Sequence, residues 1–436
     1  MKVSTIFLML SFLVLNIAHN ACAKLSSEEE VLITFIDENH VDQLNLLEKL
    51  VNINSGTENA EGVKKIGDLL NPEFEKLGFK TEWIDLPGDM KHAGSLVATH
   101  SAGAVKNRVL LIGHLDTVFP VDSPFQSFAV SPDEKTATGP GVIDDKGGLV
   151  TILYAMKALA YSGKLKNANV TIVLIGDEEY AAKPTTISRK ALLDAAKNSD
   201  IALGFEFALS ADELVTNRRG LSEWYLSSSG KSQHSSSIFE SSVGFGAVYE
   251  VARVLNGIRT SLSNTSGLTI NPGIILGGQT ASEIVQQGSG AATGQKTIIA
   301  AQALTHGDLR FLSNEQKSKA EDAMFHIAND ALPNTTSKFT FIDIIPAMSE
   351  TEGNKQLLEQ FSNINSELGG ASLRAVPAAK RGGADISYVS AYVSGSLDGL
   401  GPWGEGAHSQ HETLAVASLA LATKRAAIFI SRYIQQ

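Results

Sequence analysis

The chain has 436 residues, of which 43% are hydrophobic and 19% are charged, a composition typical of soluble globular proteins with two or three domains. The formal net charge of −11 argues against a nucleic-acid partner, because the phosphate backbone attracts basic surfaces. The one cysteine excludes a disulfide within the chain.

Residues 1–23 have the features of a secretory signal peptide. Lys2 supplies the positive start, an apolar run follows, and a small-x-small cleavage pattern ends at Ala23. The apolar run is short for a membrane span, so no membrane span is expected. We expect a secreted or periplasmic protein. Lipid anchoring at Cys22 is the alternative, but His19 stands where an apolar residue is required. Without the leader, any metal must be held by His, Asp and Glu.

The first half of the mature chain alternates between helical and apolar segments. The predicted elements begin with helices at 27–53 and 60–78 and strands at 81–86 and 95–100. Longer apolar runs follow at 109–112, 170–175 and 201–205. Such runs, separated by helices, are typical of parallel strands buried on both faces. We predict an α/β fold with a mixed, mainly parallel sheet and helices on both faces.

Each of the three longer runs ends in residues that can bind a metal. The runs end at Gly113-His114-Leu115-Asp116, at Gly176-Asp177-Glu178-Glu179 and at Glu206. Sites in open α/β sheets form at the carboxyl ends of strands, so these side chains are expected to meet in one crevice. Adjacent glutamates can face different ways, so one can bind metal while the other takes a proton. Polar strand ends and acidic loops are the alternative for each motif alone.

A glycine-rich turn lies between the first two of these strands. It reads Gly139-Pro140-Gly141-Val142-Ile143-Asp144-Asp145-Lys146-Gly147-Gly148 and leads into a predicted helix at 148–162. Glycine and proline make a tight turn that can hold a carboxylate in a fixed place. We predict that Asp144 bridges two metal ions there. A solvated turn between two elements is the alternative.

The sequence changes character near residue 218. The elements that follow are a strand at 224–229, a helix at 244–257, strands at 268–276 and 297–304, a helix at 314–331 and a strand at 337–345. This β-α-β-β-α-β order predicts a ferredoxin-like α+β sandwich. We divide the mature chain into a first domain built from two segments (24–217 and 347–436) and an inserted domain between them (218–346).

The resumed first domain contains a helix at 354–368, a glycine-rich loop and a closing helix at 413–434. The loop ends at His408, a second candidate nitrogen ligand, for which a surface histidine is the alternative. Two histidines and several carboxylates at predicted turns and strand ends make a ligand set suited to zinc, with cobalt or manganese as alternatives.

These motifs resemble the dinuclear zinc exopeptidase family of glutamate carboxypeptidase, aminoacylase, dipeptidases and succinyl-diaminopimelate desuccinylase, and in particular its secreted glutamate carboxypeptidase-like members. The matching pieces are Gly-His-Leu-Asp-Thr-Val at 113–118, the turn at 139–148, Asp-Glu-Glu at 177–179, Phe-Glu at 205–206, Gly-Asp-Leu-Arg at 307–310 and Gly-Glu-Gly-Ala-His-Ser at 404–409. The resemblance spans almost the whole mature chain. It implies a metallo-carboxypeptidase or amidohydrolase with two Zn²⁺ ions, acting on an amide bond next to a free carboxylate in small peptides or N-acyl amino acids.

The resemblance also implies how the site is divided between the two metals. Asp144 bridges both ions, and the peptide bond after it is cis. The remaining ligands are His114 and Glu206 on one metal and Glu179 and His408 on the other. Two further residues complete the site: Glu178 activates the attacking water, and Asp116 supports His114.

The resemblance implies that the first domain is catalytic and that the inserted domain is a lid or dimerisation domain, which in relatives forms homodimers and carries substrate-binding groups. By resemblance, His234 helps to stabilise the oxyanion, sometimes from the partner subunit, and Arg310 binds a substrate carboxylate. A linker histidine and a surface salt bridge are the alternatives.

Several residues depart from the family pattern. Glu283-Ile284-Val285-Gln286 stands where relatives often carry Asn-Val-Val-Pro, and Tyr180-Ala181-Ala182 replaces the common Gly-Ser after the glutamate pair. No clear second basic residue occurs near 344–345, so a strict requirement for a C-terminal glutamate is not expected. Asp385 and Glu412 are expected to support the ligands. Aminoacylase or dipeptidase activity, a non-catalytic binding protein on the same fold, and an adhesion or dimerisation module are the alternative functions.

Overall fold

The computed structural model describes residues 25–103 and 107–436, so the predicted leader and Cys22 lie outside the described residues. Within those ranges, no helix is long and apolar enough to cross a membrane. The α-helices are α1 (Ser27–Glu38), α2 (His40–Val51), α3 (Ala60–Lys76), α4 (Lys146–Tyr161), α5 (Thr185–Ser188), α6 (Lys190–Ala196), α7 (Gly246–Leu262), α8 (Asn314–Asn329), α9 (Glu352–Glu367), α10 (Ile386–Val389) and α11 (Val416–Tyr433).

The strands of the same ranges form a six-stranded sheet, a four-stranded sheet and several small pairings. They are β1 (Lys80–Ile84), β2 (Ser95–His100), β3 (Arg108–His114), β4 (Ala129–Val130), β5 (Thr136–Thr138), β6 (Asn169–Ile175), β7 (Ile201–Gly204), β8 (Glu213–Leu214), β9 (Gly220–Gly230), β10 (Thr269–Gly278), β11 (Thr280–Ile284), β12 (Ser289–Thr293), β13 (Gln302–Phe311), β14 (Thr335–Ile345), β15 (Arg374–Ala375), β16 (Gly395–Leu397), β17 (Gly404–Glu405) and β18 (Thr413–Ala415).

The six-stranded sheet is mixed and mainly parallel, in the order β1-β2-β6-β3-β7-β16. Strands β6, β3, β7 and β16 run parallel, and β2 joins them antiparallel. Successive residues of a strand face opposite sides. Leu111 therefore packs into a core with α1 to α4 and α11, while Leu110 and Ile112 pack into a second core with α6 and α10. The sheet has helices on both faces, and the predicted fold class is confirmed.

The three central strands end at one edge of this sheet. In the parallel register, His114 of β3 pairs with Ile175 of β6, and Ile112 pairs with Gly204 of β7. Because neighbouring parallel strands end together, the residues that follow β6 and β7 emerge beside His114. The topology thus places three polar strand ends side by side.

Helix α4 begins at the same edge and is buried along most of its length. Its first turn contains two glycines because neighbouring backbone and a proline ring come too close for a side chain. A Cβ at Gly148 would lie 2.2 Å from the carbonyl oxygen of Phe205, and one at Gly147 would lie 2.6 Å from Pro402. These glycines let the helix start directly behind Asp144 and against the end of β7.

The inserted region contains the antiparallel sheet β10-β13-β9-β14, with α7 and α8 covering one face. Its core includes Trp224 and Leu226 from β9, Val251 from α7 and Met324 from α8. This strand order, with helices on one face, is the predicted ferredoxin-like sandwich. The division of the chain at 218 and 346 stays a prediction.

Some predicted boundaries were wrong. The strand expected at 297–304 begins at Gln302, and the glycine-rich segment before it contributes the hairpin β11–β12, which the sequence analysis missed. That hairpin is largely exposed, so it lacks the apolar alternation that marks a buried strand. The closing helix begins at Val416, after the short strand β18, and the first helix is divided at Asn39.

Candidate metal centre

Five side chains from distant regions of the chain meet at the carboxyl edge of the larger sheet. Asp144 lies at the centre, with Oδ1 3.1 Å from His114 Nε2 and Oδ2 2.9 Å from His408 Nε2. Glu206 Oε1 lies 3.5 Å from His114 Nε2, and Glu179 Oε2 lies 3.2 Å from His408 Nε2. The five residues form two three-membered groups that share Asp144, and within each group the donor atoms lie within 4.8 Å of one another.

This donor set fits two divalent metal ions. Each oxygen of Asp144 faces a different imidazole, as a carboxylate that bridges two ions requires. Glu179 Oε1 is buried and has no hydrogen-bond partner among the described residues. Leaving such an oxygen unpaired is costly, and a cation in the second group would satisfy it. Imidazole and carboxylate donors suit zinc, although the identity of the ions stays a prediction.

The electrostatics of the cluster favour positive charge at both histidines. Burial opposes protonation of His114, but the Asp116 and Asp144 carboxylates outweigh it and hold its pKa well above the usual value. Hydrogen bonds to Asp144 and Glu179 raise the pKa of His408 to about 11. Burial raises the pKa of Glu206 to about 7. A dense group of partly desolvated carboxylates that attracts cations is what a divalent metal site requires.

Asp116 connects three regions of the site. It is fully buried, and its Oδ2 accepts hydrogen bonds from Thr57 Oγ1 at 2.6 Å and from the Glu179 backbone N–H at 3.1 Å. Its Oδ1 accepts one from the Glu178 N–H at 3.0 Å and lies 3.4 Å from His114 Nδ1. His114 Nδ1 also lies 3.1 Å from the Asp116 backbone carbonyl oxygen. Asp116 thus orients the His114 ring, and its carboxylate fixes the backbone that carries both glutamates.

Glu412 holds the turn that carries Asp144. The buried Glu412 carboxylate accepts hydrogen bonds from the N–H groups of Gly141 at 3.1 Å, Ile143 at 2.9 Å and Asp144 at 3.1 Å. The Asp144–Asp145 peptide bond is cis, as the resemblance implied. The Asp145 carboxylate accepts a hydrogen bond from the His114 N–H at 3.1 Å. These contacts tie the turn to the end of β3.

Glu178 faces the interior beside the first metal group. It lines a cavity of about 10 Å³ together with His114, Glu206 and Asp385. A space of this size holds about one water molecule. Burial, together with the Glu206 carboxylate, raises the pKa of Glu178 well above its usual value. A carboxyl group of raised pKa beside a candidate metal site is able to accept and release a proton.

Two buried arginines support Glu206, and the sequence analysis missed both. Arg381 Nη2 donates to Glu206 Oε2 at 3.3 Å, and Arg218 Nη2 lies 3.8 Å from the same oxygen. Arg218 Nε also donates to the buried Asp398 at 2.6 Å. The available sequence signal was weak, since it consisted only of a basic residue at the predicted domain junction and another at the start of a glycine turn.

A third buried arginine braces the loop that carries the glutamate pair. Arg189 Nη1 donates to Asp177 Oδ1 at 2.7 Å, and Arg189 Nε donates to Asp385 Oδ1 at 2.5 Å. Asp385 also lines the small cavity with Glu178. Arg189 therefore connects Asp385 to the loop that carries the glutamate pair. The sequence patterns did not single out this arginine.

The two predicted substrate-binding residues of the inserted region lie outside the two metal groups. His234 is exposed, and its Nδ1 contacts Ser236 Oγ at 2.8 Å. Arg310 is partly exposed on β13, and its Nε donates to Asp308 Oδ2 at 3.0 Å. The roles of both residues stay predictions, as do the individual roles of the five clustered side chains and of Glu178.

The fold and the site define a class of α/β proteins with paired metal-ligand groups at a sheet edge, and comparisons with known proteins identify the family. The profile of peptidase family M20/M25/M40 matches residues 110–432. Carboxypeptidase G2 of Pseudomonas sp. (strain RS-16) is 30% identical over 373 residues, covering 83% of this chain and 82% of that protein. The chain belongs to the M20/M25/M40 peptidase family, and it is a metallopeptidase-type hydrolase that acts on peptide bonds.

Solved structures share the fold at low sequence identity. A tripeptidase from Staphylococcus aureus has a TM-score of 0.67 at 18% identity, covering 91% of this chain and 99% of that one. A dinuclear metal-binding peptidase of the M20 family from Bacillus subtilis has a TM-score of 0.61 at 16% identity, covering 92% and 99%. Both likenesses cover more than nine-tenths of this chain.

Proposed function

We propose that the protein is an exported, carboxypeptidase-like amidohydrolase that cleaves an amide bond next to a free carboxylate in small peptides or N-acyl amino acids. The observation that carries the proposal is the pair of ligand groups sharing Asp144, with Glu178 beside them. The similarity to carboxypeptidase G2 supports the carboxypeptidase-like specificity. Arg310 supplies the cation for the substrate carboxylate, and the leader at 1–23 supports export.

Two divalent ions, held by His114, Asp144 and Glu206 and by Asp144, Glu179 and His408, would lower the pKa of a water molecule and polarise the scissile carbonyl. The chain's own residues supply the proton transfers. The Glu178 carboxylate takes a proton from the attacking water and delivers it to the leaving nitrogen. Asp116 keeps the Glu178 backbone and the His114 ring in place while this happens.

The inserted region would bind and orient the substrate. His234 donates a hydrogen bond to the oxygen of the scissile carbonyl as negative charge develops on it. The Arg310 guanidinium pairs with the free carboxylate, which fixes the amide relative to Glu178. Both side chains are accessible, as binding groups must be. We also propose that the inserted region mediates a homodimer.

Aminoacylase or dipeptidase specificity is the second candidate. The observation that favours it is Glu283, which is almost fully buried and pairs with His306 Nδ1 at 2.9 Å, where many relatives carry an asparagine. A changed polar contact at this position alters which groups next to the amide are accepted. A non-catalytic binding protein is a weaker candidate, since Glu178 and all five ligand candidates are retained.

A metal and substrate analysis tests the proposal. The purified protein is expected to hold close to two equivalents of divalent metal and to hydrolyse members of a panel of dipeptides and N-acyl amino acids with zinc, cobalt or manganese. Activity is expected to disappear with a chelator and return with metal. Less than one equivalent of tightly bound metal, together with activity that survives chelation, would overturn it.

A further inference from the structure

The two metal groups differ in how their glutamates are held. The first group contains His114, Asp144 and Glu206, and the second contains Asp144, Glu179 and His408. Glu179 Oε2 lies 3.2 Å from His408 Nε2, and Glu179 Oε1 is buried without a hydrogen-bond partner in the described part of the chain. Both oxygens of Glu179 are therefore available to an ion. In contrast, Glu206 Oε1 lies 3.5 Å from His114 Nε2, whereas Glu206 Oε2 faces two arginines.

The two arginines are fixed in place around Glu206 Oε2. Arg381 Nη2 donates to this oxygen at 3.3 Å, and its guanidinium lies 4.2 Å from the centroid of the Phe207 ring. Arg218 Nε donates to Asp398 at 2.6 Å. Arg218 Nη2 is buried, has no hydrogen-bond partner among the described residues and lies 3.8 Å from Glu206 Oε2. Because a buried donor requires an acceptor, this N–H directs Glu206 Oε2 toward the arginines and away from the ion position.

The buried positive charge also distinguishes the two groups. The side chains of Arg381 and Arg218 are only 5% and 3% exposed, so solvent screens their charges weakly. Within the described ranges, Glu179 forms no ion pair with a lysine or an arginine. A divalent ion in the first group therefore lies near two cations of like sign, whereas an ion in the second group meets no comparable repulsion.

We propose that Arg381, together with Arg218, makes Glu206 a one-oxygen ligand and so makes the first metal group the weaker and more open of the two. The second group, with both oxygens of Glu179, then fills first. Arg381 is a positioning residue that acts through Glu206. A site with three donor atoms keeps a position open, as catalytic zinc sites do, and the small cavity lined by Glu178 adjoins this group. The inference rests on the two-ion site of the proposed function and goes beyond it by ranking the two ion positions.

Cobalt(II) titration of the full-length protein, after removal of its own metal with a chelator, measures both affinities. Wild type is expected to bind one equivalent tightly and a second at least about 10-fold more weakly. Variants that lack one histidine assign the two affinities to the two groups. His408→Ala should retain only the weaker one, and His114→Ala only the tighter one. Equal affinities in wild type, or the opposite assignment, overturn the inference.

Arg381→Met gives a sharper test, because two roles of this arginine predict opposite signs. If Arg381 merely supported the structure around Glu206, its loss would weaken metal binding. Under the proposal, Glu206 Oε2 becomes free to bind the ion and a positive charge disappears, so the weaker affinity should rise about 10-fold while the tighter one stays the same. The additional oxygen ligand should also make the visible absorption of cobalt in this group less intense. Arg381→Lys retains the charge without the planar fork, so its affinity should lie between those of wild type and Arg381→Met.

Arg374→Met is the matched control. Arg374 also pairs with two carboxylates, Asp212 and Glu213, but it is 64% exposed and belongs to neither metal group, so both affinities should equal those of wild type. If Arg381→Met does not fold, the wild-type titration and Arg381→Lys decide the question. A weaker affinity that stays the same or falls on substitution of Arg381 overturns the inference and leaves the hydrolase proposal intact. A protein that binds no cobalt contradicts the two-ion site, and with it the proposed function.

Discussion

The candidate metal-ligand cluster and the inserted region hold their side chains in different ways. In the cluster, Asp116 makes contacts to four groups and Glu412 to three, all inside the protein. On the inserted region, His234 contacts Ser236 and Arg310 contacts Asp308, each two residues away in sequence. The side chains of the cluster are positioned by tertiary contacts, and the side chains of His234 and Arg310 by local ones.

Under the proposed function, this difference separates the residues proposed to act in the chemical step at the sheet edge from Arg310, which is proposed to bind the substrate. Proton transfer requires a fixed geometry, and buried hydrogen bonds provide it at the sheet edge. A binding group has to exchange its contacts for those of the substrate, so a weak local partner such as Asp308 or Ser236 is suitable. Substitutions in the cluster should therefore alter chemistry, metal affinity or stability. Substitution of Arg310 on the inserted region should alter substrate binding alone.

The largest effect is expected for Glu178→Gln. The amide is close in size to the carboxyl group but cannot accept the proton, so kcat should fall by at least about 100-fold while metal content stays the same. Metal analysis and steady-state kinetics on one preparation measure both quantities. Glu359→Gln, at an exposed site on α9, is the control. Unchanged kcat in Glu178→Gln would remove this residue from its proposed role.

A large loss of stability is expected for Arg218→Met. The substitution leaves the fully buried Asp398 without its cationic partner and weakens the support of Glu206, so the free energy of unfolding should fall by about 3–5 kcal/mol. Urea unfolding monitored by circular dichroism measures the change. Arg108→Met breaks the exposed pair with Asp200 and should cost less than about 1 kcal/mol. Equal losses in both variants would contradict the distinction between buried and exposed pairs.

A more limited effect is expected for Glu412→Gln. A glutamine presents one acceptor and one donor to three N–H groups that now share a carboxylate, so the turn carrying Asp144 should loosen. Metal affinity should fall by about 10–100-fold, as measured by competition with a chromogenic chelator. Glu48→Gln, on the exposed face of α2, serves as the reference. An unaltered affinity would show that the turn keeps its shape without Glu412.

The sequence predicted the positions of the candidate metal ligands better than it predicted the residues that support them. His114, Glu179 and Glu206 were predictable because apolar runs mark buried parallel strands, and the ends of such strands meet at one edge. Arg218 and Arg381 were not, because an arginine becomes a partner only when the chain folds. The residues they contact, Asp398 and Glu206, lie 180 and 175 positions away.

Inside the inserted region, the overall βαββαβ order was predictable from alternating apolar patterns, but the hairpin β11–β12 was not. Its strands are largely exposed, so few apolar residues mark them in the sequence. The contact between Glu283 and His306 was not predictable either, because it joins this hairpin to β13. The departure from the family motif at Glu283 could be seen in the sequence, whereas its partner, His306, could be found only in the folded structure.

The smallest effect on stability is expected for Arg310→Met, which tests the inserted region as the earlier variants test the cluster. Arg310 is 40% exposed, and its partner Asp308 is also accessible, so the free energy of unfolding should change by no more than about 0.5 kcal/mol. KM for a substrate with a free carboxylate should nevertheless rise about 10-fold, because a charge-assisted hydrogen bond is lost.

The matched substrate for this variant carries a carboxamide in place of the carboxylate, and its KM should be the same for wild type and Arg310→Met. Arg259→Met, at another exposed arginine of the inserted region, should leave KM unchanged for both substrates. If Arg310→Met loses stability, or raises KM equally for both substrates, Arg310 is held by the fold as the cluster residues are. The contrast between a rigid chemical site and an exchangeable recognition site depends on Arg310 passing this test, because it is the one cation proposed to meet the substrate carboxylate.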